Sequence, residues 1–297
     1  MKPVPACWAR RYRNKETAMY LSTLLIDVGD DPDRIRPGRN WLRNRYRVHQ
    51  RLCMAFPAPE RKTRDPHFVR PYDPEDFGRQ VRVPRSEEQG FLFRIDPRPG
   101  ACPVILVQSA VEPDWEYAFH NAKYLLAAPP EVREWNPAFQ AGQKFRFRLL
   151  ANATRKVGTL TAAQRRADPG QVIREPKEDP AGPWRRDRRS KNGARVPVPR
   201  EQLPGWLARR AGEAGFRLVP DPEAVEVQVE YVYVNRSGFD PEDQDGPDRG
   251  AFIPQMFCAR FEGLLEVTEP DRFAMALGRG IGPAKSFGCG LLSVTAP

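Results

Sequence analysis

The apolar residues of this chain arrive in short blocks, and the order of the blocks repeats once along the sequence. No feature limits the fold more, because short apolar blocks form strands or helices that must be layered to bury one face. Met19-Tyr-Leu-Ser-Thr-Leu-Leu-Ile26 reads as a strand. A helix is expected from about Asn40 to Phe56, stopped by Pro57 and Pro59, with Trp41, Val48, Leu52 and Ala55 on one face by their spacing. Residues 57–90 are polar and proline-broken and read as a long loop. Phe91–Ile95 and Val104–Gln108 then read as paired strands, and Trp115–Leu126 as a second helix.

The pattern restarts at Lys144-Phe-Arg-Phe-Arg-Leu-Leu150, where basic and apolar residues alternate with the period of a strand that carries charge on one face. Residues 153–198 are poor in apolar groups and rich in Arg and Lys. Glu201–Glu213 reads as a helix, and Val225–Val234 and Phe257–Val267 as strands around an acidic loop, Ser237–Gly250. Asp271–Arg279 reads as a helix and Leu291–Val294 as a last strand. Strand, helix, strand, strand, helix is the order of a ferredoxin-like unit. The expected fold class is therefore α+β, with two tandem ferredoxin-like (RRM-like) domains at 19–128 and 129–297. Residues 1–18 read as a disordered extension ahead of them.

A chain of 297 residues is long enough for two such cores. Its 48 Lys and Arg against 38 Asp and Glu leave a net charge of +10, which favours a polyanionic partner without saying which one. No apolar run approaches the roughly 20 residues of a membrane span. The basic N-terminal segment has no apolar stretch of the kind a secretory signal requires. Five scattered cysteines without a CxxC fit a reducing cytoplasm and argue against a zinc ribbon.

Three features carry chemistry. Gly280-Ile-Gly282-Pro-Ala-Lys285-Ser-Phe-Gly288-Cys-Gly290 pairs its glycines twice. Such a loop can offer backbone amides to phosphate oxygens, with Lys285 adding charge, or it can simply join a helix to an edge strand. Neither a Walker loop nor a dinucleotide fingerprint is present. Tyr46 and His49, at i and i+3 of the first helix, share a face and flank the apolar stripe together with Cys53. Imidazole exchanges a proton near neutral pH and a phenol can orient a phosphate, although a lone helical histidine is more often structural. Neither His67 nor His120 has ligand spacing to His49, so no metal site is expected. Finally, Arg185, Arg186, Arg188, Arg189, Lys191 and Arg195 crowd into a run that contains Gly193 and reads as a hairpin tip. Guanidinium forks suit phosphates, while most charge runs are solvated loops. Arg146, Arg148, Arg155 and Lys156 extend the basic surface toward that tip and favour a binding face.

Glu262-Gly-Leu-Leu-Glu-Val-Thr268 followed by Arg279-Gly-Ile-Gly-Pro-Ala-Lys-Ser-Phe-Gly-Cys-Gly-Leu-Leu-Ser293 resembles the glycine-rich signature of the repeat-associated CRISPR proteins. With Met19-Tyr-Leu-Ser, Tyr46-Arg-Val-His-Gln50, Ile105-Leu-Val-Gln-Ser109, Glu112-Pro-Asp-Trp115 and Phe145-Arg-Phe-Arg-Leu-Leu-Ala-Asn152, all in order, it is similar to the CasE subfamily of type I-E systems from Met19 to the end. The resemblance implies binding of the hairpin in CRISPR repeat RNA and one metal-independent, cofactor-free cut at the 3′ base of the stem. It also implies retention of the crRNA within the Cascade complex, and it puts the family's catalytic histidine on His49 and its active-site tyrosine on Tyr46. The chain departs from the pattern in the extension before Met19, in the long loops 57–90 and 237–250, and in offering Cys53 and Met54 where some relatives carry a basic residue.

On that reading the RNA supplies its own nucleophile, the 2′-OH. His49 serves as general base or acid and Tyr46 positions the phosphate, with Arg39 and Arg43 as candidate cations for the phosphorane. The arginine run enters the duplex near the stem end, and the glycine-rich loop holds the backbone. The alternative is a non-catalytic scaffold subunit that only grips guide RNA; a tyrosine–histidine pair on the first helix speaks against it. A ribosomal or regulatory protein built from the same units lacks support, since no RNP motif lies on an expected strand.

Overall fold

The computed structural model describes residues 19–29, 36–56, 90–157, 194–234 and 255–297. The first unit holds four antiparallel strands, β1 (Met19–Leu25), β2 (Phe91–Asp96), β3 (Val104–Ser109) and β4 (Glu131–Trp135), in the order β2-β3-β1-β4. This is the split arrangement in which the strand after the helix lands beyond its neighbour, as a ferredoxin-like unit demands. Leu24, Ile26, Phe93, Ile105 and Val107 meet Val48, Leu52, Trp115 and Phe119 in its core.

The first helix differs from its expectation. Two helices stand in place of one, α1 (Pro37–Arg43) and α2 (Arg45–Cys53), broken at Asn44. Asn44 is extended, with φ −101° and ψ 100°. Its own N–H closes α1 on the Trp41 carbonyl, while its side chain accepts the Tyr46 N–H at 3.1 Å to open α2. An asparagine that can satisfy the orphan amides of a new helix makes the break cheap. The second helix is also shorter than expected. α3 covers Trp115–Phe119, capped by the Asp114 carboxylate on the Tyr117 N–H, and a 3-10 turn follows at Lys123–Leu125.

Strand β4 has no counterpart in the expected elements, and it carries the first sheet past residue 128 to Trp135. Most of its residues are exposed, so it has no apolar alternation to betray it. It forms because β1 offers it an open hydrogen-bonding edge.

The second unit repeats the plan. β5 (Lys144–Ala151), β8 (Phe216–Val219), β9 (Glu226–Tyr233), β10 (Gln255–Val267) and β11 (Leu292–Thr295) form a sheet in the order β11-β5-β10-β8, with β9 also on β10. The thirteen-residue β10 pairs β9 with its first half and β8 with its last four residues. α4 (Leu203–Glu213) and α5 (Pro270–Arg279) cover one face, burying Trp206, Leu207, Phe273 and Leu277 on Leu149, Phe261 and Leu265. A separate two-stranded ribbon, β6 (Thr154–Val157) with β7 (Ala194–Pro197), stands at the base of the basic segment 158–193, which lies outside the described residues. The extension 1–18 and the loops 57–89 and 235–254 lie outside them as well.

Polar side chains join the two units. Arg94, 3% exposed on β2, donates to both oxygens of Asp96 at 2.7 and 2.8 Å. Its Nη1 reaches the second unit, donating to Ser293 Oγ at 2.8 Å and the Arg148 carbonyl at 3.0 Å. Gln108 Nε2 on β3 donates to the Leu277 carbonyl of α5 at 2.8 Å.

Candidate active site at the seam of the two units

Helix α2 turns Val48 and Leu52 into the first core and carries His49 beside them. The spacing places His49 at the edge of the apolar stripe, yet the imidazole is only 8% exposed. The burial comes from β2, whose aromatic rings stack on it: Phe91 at 5.5 Å and 28°, Phe93 at 6.2 Å and 16° between ring centroids and planes. His49 Nε2 lies 3.6 Å from Cys53 Sγ, one turn on. Tyr46 is half-buried one turn ahead of His49. Arg51 ties the helix down from its far side, donating to the Ala118 carbonyl at 3.0 Å and Asn121 Oδ1 at 2.8 Å.

The glycine-rich segment meets this helix. Its Lys285–Phe287 stretch is a 3-10 turn between Ala284 and Gly288, both left-handed. A side chain at Gly288 would stand 3.1 Å from the Phe93 ring and 3.5 Å from Arg45 Nη1. At Gly280, φ is +72° and a Cβ would meet the Gly290 carbonyl at 2.8 Å and Leu92 at 2.9 Å. Gly282 lies over Trp206 of the second core. The amides of Gly280, Gly288 and Gly290 donate to the carbonyls of Ala276, Lys285 and Leu150. Those three amides are therefore committed inside the fold, contrary to the expectation that they hold phosphate; the glycines admit tight turns and close approach of the first unit. Lys285 is half-buried, and burial, with Arg279 adding repulsion, pushes its pKa down.

The expected cations are scattered. Arg39 and Arg43 lie on α1, beyond the break at Asn44, and so not on the helix of His49 as expected. Arg146 is exposed on β5. Arg148, two residues on, is paired with Glu262, its Nε 2.8 Å and Nη2 3.1 Å from the carboxylate. Arg195 is exposed on β7 and donates to Thr154 Oγ1 at 3.2 Å. Arg185, Arg186, Arg188, Arg189 and Lys191 lie outside the described residues. Arg94, Asp96, Arg260, Gln108 and Arg45 are residues that sequence reasoning missed. Arg94 alone carried a signal, a charge inside the apolar run Phe91–Ile95. Among the described residues no group of three or more His, Cys, Asp or Glu converges as a metal site would require, and no helix is long and apolar enough to cross a membrane.

Two ferredoxin-like units, joined at a seam where a tyrosine–histidine helix meets a glycine-rich turn, define a tandem ferredoxin-like protein of the glycine-loop class. The chain belongs to the CRISPR-associated protein family, whose model matches residues 19–296. It is similar to the CRISPR-associated endoribonuclease Cse3 of Thermus thermophilus, 33% identical over 283 residues that cover 93% of this chain and 99% of that protein. It is also similar to the Cascade subunit CasE of Escherichia coli K12, 26% identical over 279 residues, 93% of this chain and 98% of that one. Among solved structures, Thermus thermophilus Cse3 bound to an RNA representing a pre-cleavage complex aligns with a TM-score of 0.59 and 27% identity, covering 94% of this chain and 99% of that one. The resemblance to the CasE subfamily read from the motifs is thus borne out.

Proposed function

We propose that this chain is the repeat-RNA endoribonuclease of a type I-E CRISPR system. It binds the hairpin of the repeat transcript, cuts the precursor once at the 3′ base of the stem, and stays on the crRNA as a Cascade subunit in the cytoplasm. The observation that carries this reading is the seating of His49, a buried imidazole one turn from Tyr46, on the helix that meets the second unit's glycine-rich turn.

The cut needs no metal. The 2′-oxygen bonds to the adjacent phosphorus as the bond to the 5′-oxygen breaks, leaving a 2′,3′-cyclic phosphate and a 5′-OH. The 2′-OH proton leaves to a base and another proton reaches the departing 5′-oxygen; His49 takes one of these transfers. Packing against the Phe91 and Phe93 rings holds the imidazole plane in place, which is what proton transfer at a fixed geometry requires. Tyr46 orients the phosphate. The ribbon β6–β7, with exposed Arg155 and Arg195 at its base, presents the basic segment 158–193 to the duplex, and exposed Arg146 extends that face. Arg148 is held by Glu262 and lies 3.8 Å from Asp96 of the first unit.

Incubating the purified protein with its host's repeat RNA in excess EDTA, beside His49→Ala and a substrate with a 2′-deoxy before the cut, tests the reading. A single cut by wild type, with both controls bound but intact, supports it. Cleavage abolished by EDTA, or normal cleavage by His49→Ala, overturns the mechanism. Tight binding without any cut moves the chain to the scaffold role.

A further inference from the structure

Arg45 opens α2, four residues before His49, so the two side chains stand one turn apart on one helical face. The residue as a whole is half-buried, but its Nη1 is sealed from solvent and has no hydrogen-bond partner among the described residues. That nitrogen points at the glycine-rich turn, 3.5 Å from where a side chain at Gly288 would begin. Gly288 in turn abuts Phe93, the ring on which His49 stacks. Guanidinium, imidazole and turn therefore gather around one phenyl ring.

Among the described residues no carboxylate forms an ion pair with this cation, and burial, the largest influence on it, pushes its pKa down. Glu230, the carboxylate in its field, already accepts from Arg260 Nε at 2.6 Å, and Arg260 adds repulsion of its own. Cys258 and Cys289 are both buried with sulfurs 3.4 Å apart, and their mutual hydrogen bond, then burial, pushes the Cys258 thiol up. A guanidinium taken out of water without a partner is costly and becomes favourable once an anion joins it. We infer that Arg45 binds the scissile phosphate and carries the negative charge that builds on its non-bridging oxygens as the 2′-oxygen attacks.

The inference rests on the endoribonuclease reading and deepens it, by naming a cation on the helix of His49 itself, whereas Arg39 and Arg43 lie on α1. Gly288, which has no side chain, lets Arg45 Nη1 come close to the second unit, so the site is complete only when both units are in register. Glutamine keeps polarity and most of the length of Arg45 while removing charge; lysine keeps the charge.

The test is single-turnover cleavage of the repeat hairpin in EDTA by wild type, His49→Ala, Arg45→Gln and Arg45→Lys, alongside their affinity for the 2′-deoxy hairpin. Arg45→Gln is expected to slow cleavage by about 10²- to 10³-fold, the scale of one lost transition-state donor. Binding of the uncleavable hairpin should weaken by no more than about tenfold, the scale of one charged hydrogen bond. Arg45→Lys should recover a large part of the rate. Equal rates for the glutamine and lysine variants overturn the inference, as does a loss in Arg45→Gln that appears wholly in affinity, since a brace for the fold or a simple RNA contact behaves that way. Inactive wild type strikes instead at the endoribonuclease reading, and active wild type with fully active Arg45→Gln strikes at Arg45 alone.

Discussion

His49 is packed as a core residue and used as a chemical one. Its ring packs on the phenyl rings of β2, with Cys53 Sγ of its own helix 3.6 Å from Nε2. Replacing it with alanine should lower the cleavage rate by about 10²- to 10⁴-fold while leaving hairpin affinity close to wild type, as single-turnover kinetics and filter binding will report. Asn44 acts one step removed. Its side chain fixes the first turn of α2, and with it the placement of Arg45, Tyr46 and His49. Asn44→Ala should cost about 1 kcal/mol of stability in urea unfolding, with a cleavage defect larger than a loss of folded protein explains.

Among the elements, the glycine-rich turn is the one whose sequence reading changed most. Spacing alone leaves it as a phosphate cradle or a connector, and the structure spends three of its glycine amides on internal carbonyls while the first unit presses on it through Leu92, Phe93 and Arg45. Gly280 shows why the residue type is required there. Its φ of +72° and the 2.8 Å approach of the Gly290 carbonyl leave no room for a Cβ. Gly280→Ala should destabilise the protein by about 1–3 kcal/mol or more, seen as a lower midpoint in denaturant, and should displace the turn from Phe93. β4 and the helix break at Asn44 make the complementary point. A strand exposed on most of its length and a break bridged by a single capping amide leave almost no periodic trace.

At the scale of the molecule, the seam is held by charge as well as by packing. Asp96 lies within reach of Arg94, Arg148 and Arg260. Burial alone raises its pKa, but the hydrogen bonds from Arg94 and the three positive charges overcome that and hold the carboxyl below its ordinary range. A depressed carboxylate contributes stability that is complete above its unfolded pKa and is lost as pH falls through the folded one. The seam should therefore weaken below about pH 4, and Asp96→Asn should remove that part of the acid dependence in unfolding measured against pH. Arg94→Met takes the hydrogen-bond donor from Asp96 and the cross-seam donor from Ser293 Oγ, and should cost about 1–3 kcal/mol, read as a shifted denaturation midpoint. Because the site spans both units, either change should also slow cleavage.

The order of apolar blocks was sufficient by itself to set the fold class, because two rounds of strand and helix leave few ways to bury their faces. The Tyr46–His49 pair and the glycine-rich segment were legible as well, since their spacing is local. Only the tertiary structure decided that His49 is buried, because the rings that bury it come from β2, more than forty residues along the chain. It alone singled out Arg45 from 48 basic residues, and it alone gave Arg94 its partners across the seam. A guanidinium's role depends on what is left to neutralise it, and that is settled by which distant side chains the fold brings alongside.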